Sequence, residues 1–166
     1  MSVTSAVSIR RSLRAGDATA IVALHDRVYR SEYDRNGAFV DAVAATLEQA
    51  VAAGWPESGG AVWLVELDGH VAGSIGLTDE GDGVGYVRWV VLAAELRGRG
   101  LIRPLVSELV AEARAQGMTR LELDTFSALT AAARIYRGVG FRVVSDRERD
   151  DWGPTITYQH YELELN

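Results

Sequence analysis

Apolar residues recur along this chain in two rhythms, every second position and every third or fourth, and the switches between them divide it into elements. Val7 to Leu13 reads as a short strand. Gly16-Asp17 then opens a helix with Ile21, Leu24 and Val28 on its apolar side and Asp17 as the expected N-cap. A second helix carries Phe39, Val43, Leu47 and Val51, and the turn-rich run from Gly54 to Gly60 ends it. Ala61 to Leu67 and His70 to Leu77 read as strands joined by Asp68-Gly69, a hairpin turn because both residues tolerate positive φ. Val84 to Leu92 is the next strand.

After a short break, Leu101, Leu105 and Leu109 form a helical stripe broadened by Ile102, Val106 and Val110. Pro104 belongs in a first turn, so this helix should start near Gly100 or Leu101, and it should end around Gly117. Thr119 to Thr125 alternates as a strand, Ala128 to Val139 is helical, and Phe141 to Val144 with Ile156 to Leu163 supply the last strands. Strands and helices interleaved in this way predict a mixed α/β (α+β) layer structure. No repeat or low-complexity segment interrupts it, and residues 1–166 are expected to form one domain.

The composition narrows the function. With 166 residues, 48% of them apolar, the chain can bury a substantial core. It has no cysteine, which removes disulfides, thiol nucleophiles and thiolate metal sites. A net charge of −6 argues against a nonspecific nucleic-acid binder and favours a cationic amine as partner. Met1 to Arg14 holds no apolar run long enough for a signal peptide, and no later run spans a bilayer, so a cytoplasmic location without membrane contact is expected.

The chemistry concentrates where the strand ending at Leu92 feeds through Arg97-Gly98-Arg99-Gly100 into a helix. Glycines let a backbone approach a ligand closely, and the first amides of a helix lack internal partners, so they bind oxyanions. Arg97 and Arg99 add cationic donors. A P-loop is excluded because no Gly-Lys-Ser/Thr follows, and a dinucleotide fingerprint because Arg103 stands where its third glycine belongs, although Asp124 could imitate the acidic residue. What remains is a pyrophosphate cradle.

Downstream, Leu121-Glu122-Leu123-Asp124-Thr125-Phe126 and Ala132-Ala133-Arg134-Ile135-Tyr136-Arg137-Gly138-Val139-Gly140-Phe141 follow in order. With the glycine loop, these segments resemble the GNAT superfamily of acyl-CoA-dependent N-acyltransferases over nearly the whole chain. The segment from Leu129 to Leu163 also looks like the acetyltransferase half of proteins that fuse a MarR-type DNA-binding domain to a GNAT domain, without such a DNA-binding segment here. The resemblance implies a mostly antiparallel mixed sheet flanked by helices, with a splay between strands 4 and 5. It implies acetyl-CoA as co-substrate, its pyrophosphate on Arg97, Gly98, Arg99, Gly100, Leu101 and Ile102, and its pantetheine and thioester beside Val90, Val91 and Leu92. It makes Tyr136 the acid that protonates the departing thiolate and Glu32 the candidate base. Ile102 departs from the family's Gly or Ala, and Leu129 from its frequent Asn.

The implied reaction is direct acetyl transfer to an unidentified small-molecule or peptide amine, without metal. A noncatalytic acyl-CoA sensor and a transferase of longer acyl groups are the alternatives, and a homodimer is compatible with the fold. Residue by residue, other readings stay open. Glu32 also reads as a solvated helix carboxylate, and Glu122 and Asp124, sharing one sheet face, as orienting an amine or as ion-paired. His25, His70 and His160 show no zinc spacing, and His25 reads either as lining the acceptor side or as an ordinary half-exposed histidine. Trp63 and Trp89 are expected in the core, Tyr29, Tyr33 and Trp152 as an acceptor wall, and Asp146 to Asp151 as a solvated loop able to cover the pocket.

Overall fold

The computed structural model describes residues 6–165, so Met1 to Ser5 and Asn166, which belong to the expected single domain and to the leader reading, lie outside the described residues. Seven strands form one sheet: β1 (Val7–Arg10), β2 (Ala61–Leu67), β3 (His70–Asp79), β4 (Val84–Leu92), β5 (Arg120–Phe126), β6 (Arg142–Arg149) and β7 (Ile156–Glu164). Their order is β1-β2-β3-β4-β5-β7-β6, and only β4 and β5 run parallel. The helices are α1 (Asp17–Tyr33), α2 (Gly37–Ala52), α3 (Ile102–Ala115) and α4 (Thr130–Val139). This is the mixed, mostly antiparallel sheet that the sequence predicts.

Ala61 to Val65 of β2 are all buried although successive side chains point to opposite faces, so both faces of the sheet are covered there. α1 packs on α2, β3 and β4, while α3 packs on β2, β3 and α4. Trp63, fully buried on the α3 side, donates its indole N–H to Glu108 at 2.8 Å. At the hairpin, Asp68 and Gly69 both have positive φ (51° and 83°), as its two-residue turn requires.

Two expectations are corrected. Asp17 is the first residue of α1, behind Gly16 in the cap position, and makes no cap. Its carboxylate instead accepts from Arg10 at 2.6 and 3.0 Å and from the Arg14 amide at 2.6 Å, while Arg10 also reaches Glu66. Burial opposes the Asp17 charge, but these bonds outweigh it and hold the carboxyl below its ordinary range. The second correction concerns Asp146 to Arg149, expected in a loop, which continue β6 opposite Gln159 to Ile156 of β7. An edge strand exposed to water accepts charged side chains on both faces, so side-chain polarity alone does not reveal it.

Candidate active site

The parallel pair sets the site. β4 and β5 are in register only at Val84, Gly85 and Tyr86 opposite Arg120, Leu121 and Glu122; beyond Tyr86 they separate. On its other edge, β4 carries a bulge: β3 advances from Ser74 to Gly76 while β4 falls back from Val91 to Arg88. Trp89 sits in this bulge at φ 52°, a conformation uncommon for a bulky residue. It is over-determined by its surroundings. Ser74 Oγ donates to the Trp89 carbonyl at 2.5 Å, the indole N–H donates to Thr46 at 3.1 Å, and Trp55 packs edge-on at 4.9 Å.

Through the splay runs a cavity of about 730 Å³. Val90, Val91 and Leu92 line its middle, and Gly98, Gly100, Leu101 and Ile102 one end. Gly98 and Gly100 have φ 76° and 69°, and a Cβ built on either meets no protein atom within 4 Å. The backbone is therefore open to a ligand there. Among the described residues, no protein group accepts from the amides of Gly100 and Leu101, which precede α3. Open amides at a helix start suit an anionic group such as pyrophosphate.

The two loop arginines are placed differently. Arg97 lines the cavity, folds back to donate to the Leu92 carbonyl at 3.3 and 3.2 Å, and grips Glu32 with two nitrogens. Arg99 is exposed and, among the described residues, forms no ion pair. Glu32, expected as a base, is not among the cavity-lining residues, and the hydrogen bonds from Arg97 lower its pKa. Tyr136 lines the cavity from α4, with only 3% of its surface exposed. It packs against Phe141 and Tyr161 at 5.8 and 6.1 Å, and burial pushes its phenol well above the usual range.

At the other end the walls are aromatic. Tyr29, Phe39, Phe126, Trp152 and Tyr158 line the cavity, with ring centroids 4.9 Å apart for Tyr29 and Phe39, and 5.5 Å for Trp152 and Tyr158. Tyr29, Tyr33 and Trp152, expected as an aromatic wall, all line the cavity, and Arg149 stacks 3.3 Å over Trp152. Trp63 and Trp89 are buried as expected. Of the two readings of His25 the half-exposed one is corrected, since it is only 3% exposed, and it lines the cavity.

A polar cluster reaches the cavity through Tyr86 and Asp124; Asp124 and Glu122 are ion-paired, one of the roles their shared sheet face allowed, but their partner His160 was missed by the sequence reading. Asp124 accepts from the Tyr86 hydroxyl and lies 2.8 Å from His160 Nδ1, while His160 Nε2 lies 3.1 Å from Glu122 and 3.6 Å from Glu162. Both ring nitrogens face carboxylates, so only the imidazolium satisfies every contact. Partial burial works against its charge, but bonds to Asp124 and Glu122 prevail and raise its pKa. Glu122, His160 and Glu162 bring donor atoms within 4.8 Å of one another, a spacing that metal sites share. Hydrogen bonding to an imidazolium accounts for it, and the guanidinium of Arg120, 3.9 Å from Glu122, would oppose a further cation. The partners of His160 lie 36 and 38 residues away, and only the β5–β7 register brings them together.

Among the described residues, no helix is long and apolar enough to cross a membrane. The sequence pattern of the acetyltransferase (GNAT) family matches residues 21–141. YjgM of Escherichia coli K12, an uncharacterized N-acetyltransferase, is 30% identical over 90 residues, 52% of this chain and 54% of that protein. N-acetylaspartate synthetase of Danio rerio is 26% identical over 122 residues, 66% of this chain and 43% of that protein. The chain spans about half the length of these curated relatives. A GNAT-family acetyltransferase from Staphylococcus aureus Mu50 shares the fold with a TM-score of 0.76 at 16% identity, over 97% of this chain and 100% of the other. YncA of Salmonella typhimurium, solved with its cofactor acetyl-CoA, does so with a TM-score of 0.71 at 22% identity, over 97% of this chain and 95% of its own.

Proposed function

The chain belongs to the GNAT acetyltransferase family, and from that premise we propose that residues 1–166 act as one domain that transfers acetyl from acetyl-CoA to a primary amine. The observation that carries this reading is the single cavity joining the open glycine loop to an aromatic chamber through the β4–β5 splay. Acetyl-CoA supplies the activated acyl group. The amides of Gly100 and Leu101, with Gly98, Arg99 and Ile102 around them, hold the pyrophosphate, and backbone groups of Val90 to Leu92 line the pantetheine and thioester. The amine enters from the aromatic end, where Asp124, already paired with His160, accepts a further hydrogen bond from it. After losing one proton to water it attacks the carbonyl carbon, the carbon–sulfur bond breaks as Tyr136 donates a proton to the leaving sulfur, and the second proton shed by the nitrogen restores the Tyr136 hydroxyl. The products are an amide and CoA thiol.

In this reading Glu32 orients Arg97 and does not take the amine's proton, because a carboxylate stabilised in its charged form is a weaker base. Glu32→Gln is expected to raise the KM for acetyl-CoA about two- to fivefold, the range for a partly exposed ion pair, with little change in kcat. Steady-state kinetics with varied acetyl-CoA checks this. A kcat reduced a hundredfold, with KM unaltered, would return Glu32 to the role of base. The transferase reading itself is tested by incubating the protein with acetyl-CoA and a broad amine panel and following products by mass spectrometry. Acetylated amine with stoichiometric thiol release is expected; CoA binding without any transfer would mark a sensor, and faster transfer of longer acyl chains a different acyltransferase.

A further inference from the structure

His25 is a buried titratable group with no task in the reaction outlined above. It lies in the middle of α1, its ring stacked on Tyr29 at 5.7 Å and 9°, and it faces the same cavity as Ala42 and Thr46 of α2. Nδ1 is 2.8 Å from the Ile21 carbonyl, one turn back in α1. A carbonyl only accepts, so Nδ1 carries the proton and Nε2 of the neutral ring is a bare acceptor. Burial lowers the pKa to about 4, against a small raising effect of the Ile21 bond, so the ring stays neutral near pH 7.

No protein donor reaches His25 Nε2 among the described residues, yet the buried side-chain nitrogen or oxygen left without a partner there is Arg120 Nε. Nε2 is therefore not sealed in the core and keeps access to the cavity its ring lines. The neighbouring hydroxyl cannot serve it: Thr46 accepts from Trp89 and donates to the Ala42 or Val43 carbonyl. An acceptor that opens only onto the cavity takes its hydrogen bond from whatever fills the cavity, water in the free protein and a donor-bearing ligand in the complex.

Resting on the amine-transferase reading, we propose that His25 Nε2 sets acceptor specificity: it takes a hydrogen bond from a second donor on the substrate, an aromatic-bodied primary amine bearing a hydroxyl or ring N–H. The surrounding rings match a flat apolar body. Phe39 and Phe126 pack on each other at 5.8 Å, and Phe126 and Trp152 at 6.2 Å, and together they form an apolar wall against which a ring can lie. Beside the Tyr33 and Tyr158 hydroxyls at this end, His25 Nε2 and the Asp124 carboxylate, which also holds Tyr86 and His160, accept and do not donate. Arg88, the cation among the lining residues here, is spent on Thr78 and Glu80.

The test compares tyramine, phenethylamine and 4-methoxyphenethylamine at saturating acetyl-CoA, with the wild type, His25→Phe and His25→Gln. The three amines share a body but carry a donor, nothing, or an acceptor alone. The wild type is expected to favour tyramine by about tenfold or more in kcat/KM, since a site built to bond a hydroxyl rejects analogues lacking a donor. His25→Phe should erase the preference while its KM for acetyl-CoA stays within about twofold of wild type, which also reports intact folding. His25→Gln should restore part of it, because the amide oxygen accepts. Equal use of the three amines by the wild type, or a preference that survives in His25→Phe, overturns the proposal. So does turnover confined to amines of other shape. If no amine in a broad panel is acetylated while CoA still binds, the transferase reading fails and takes this proposal with it.

Discussion

Replacing Tyr136 with phenylalanine is expected to lower the single-turnover rate of acetyl transfer about ten- to a thousandfold, the range for loss of a positioned proton donor. The ring remains, so its packing against Phe141 and Tyr161 in a site only 3% exposed is kept, and the fold should be unchanged by circular dichroism. CoA affinity, measured by calorimetry, should move little. Burial raises the phenol pKa, so the hydroxyl is protonated at every ordinary assay pH. The wild type should then show no falling limb from Tyr136 between about pH 7 and about pH 9, and the variant should be depressed uniformly across that window. Single turnover matters because slow product release would hide a slower chemical step. Full activity in that measurement would show that sulfur leaves with a proton from another donor or from water.

Gly100→Val should weaken CoA binding about tenfold or more while Glu112→Ala, at a half-buried position in the last turns of α3 where Glu112 accepts from Gln116, leaves it unaltered. At φ 69° a branched residue is strained by about 1–2 kcal/mol, and its side chain would enter space that holds no protein atom within 4 Å, the space assigned to the pyrophosphate. The steric effect falls on the ligand and not on the core. Calorimetry with CoA and with pantetheine, which lacks the pyrophosphate, separates the two. A loss shared equally by both ligands would place the damage outside the phosphate loop, and undiminished CoA affinity in a folded variant would remove the loop from the binding site.

Regular segments with strong local signals were legible in the sequence. β4 runs from Val84 to Leu92 as its alternation predicts, and α3 begins at Ile102 beside the Pro104 that limits its first turn. The glycine loop, too, lies where its residues place it. Less legible were features decided by partners far along the chain. Arg97 and Glu32 are 65 residues apart, and only the packing of α1 against the end of β4 makes them a pair. Asp17 looks like a cap until Arg10 and Glu66 arrive from β1 and β2. The bulge at Trp89 carries no glycine to announce its positive φ, because neighbouring side chains impose it. His25 has the spacing of a boundary residue on α1, and α2 turns that boundary into an interior.

The splay also bears on how such a protein can change over generations. One half of the cavity is built largely from backbone: strand amides, a bulge and two glycines in left-handed geometry. The other half is built from side chains contributed by α1, α2, β5, the β6–β7 connection and β7, a set of separate segments with little shared backbone role. Under the proposed assignment of the two halves, substitutions in the second would exchange one acceptor for another while the half that holds the acyl donor is inherited intact. Descent with a constant donor and a drifting acceptor is the evolutionary course that a sheet parted between two parallel strands makes easy.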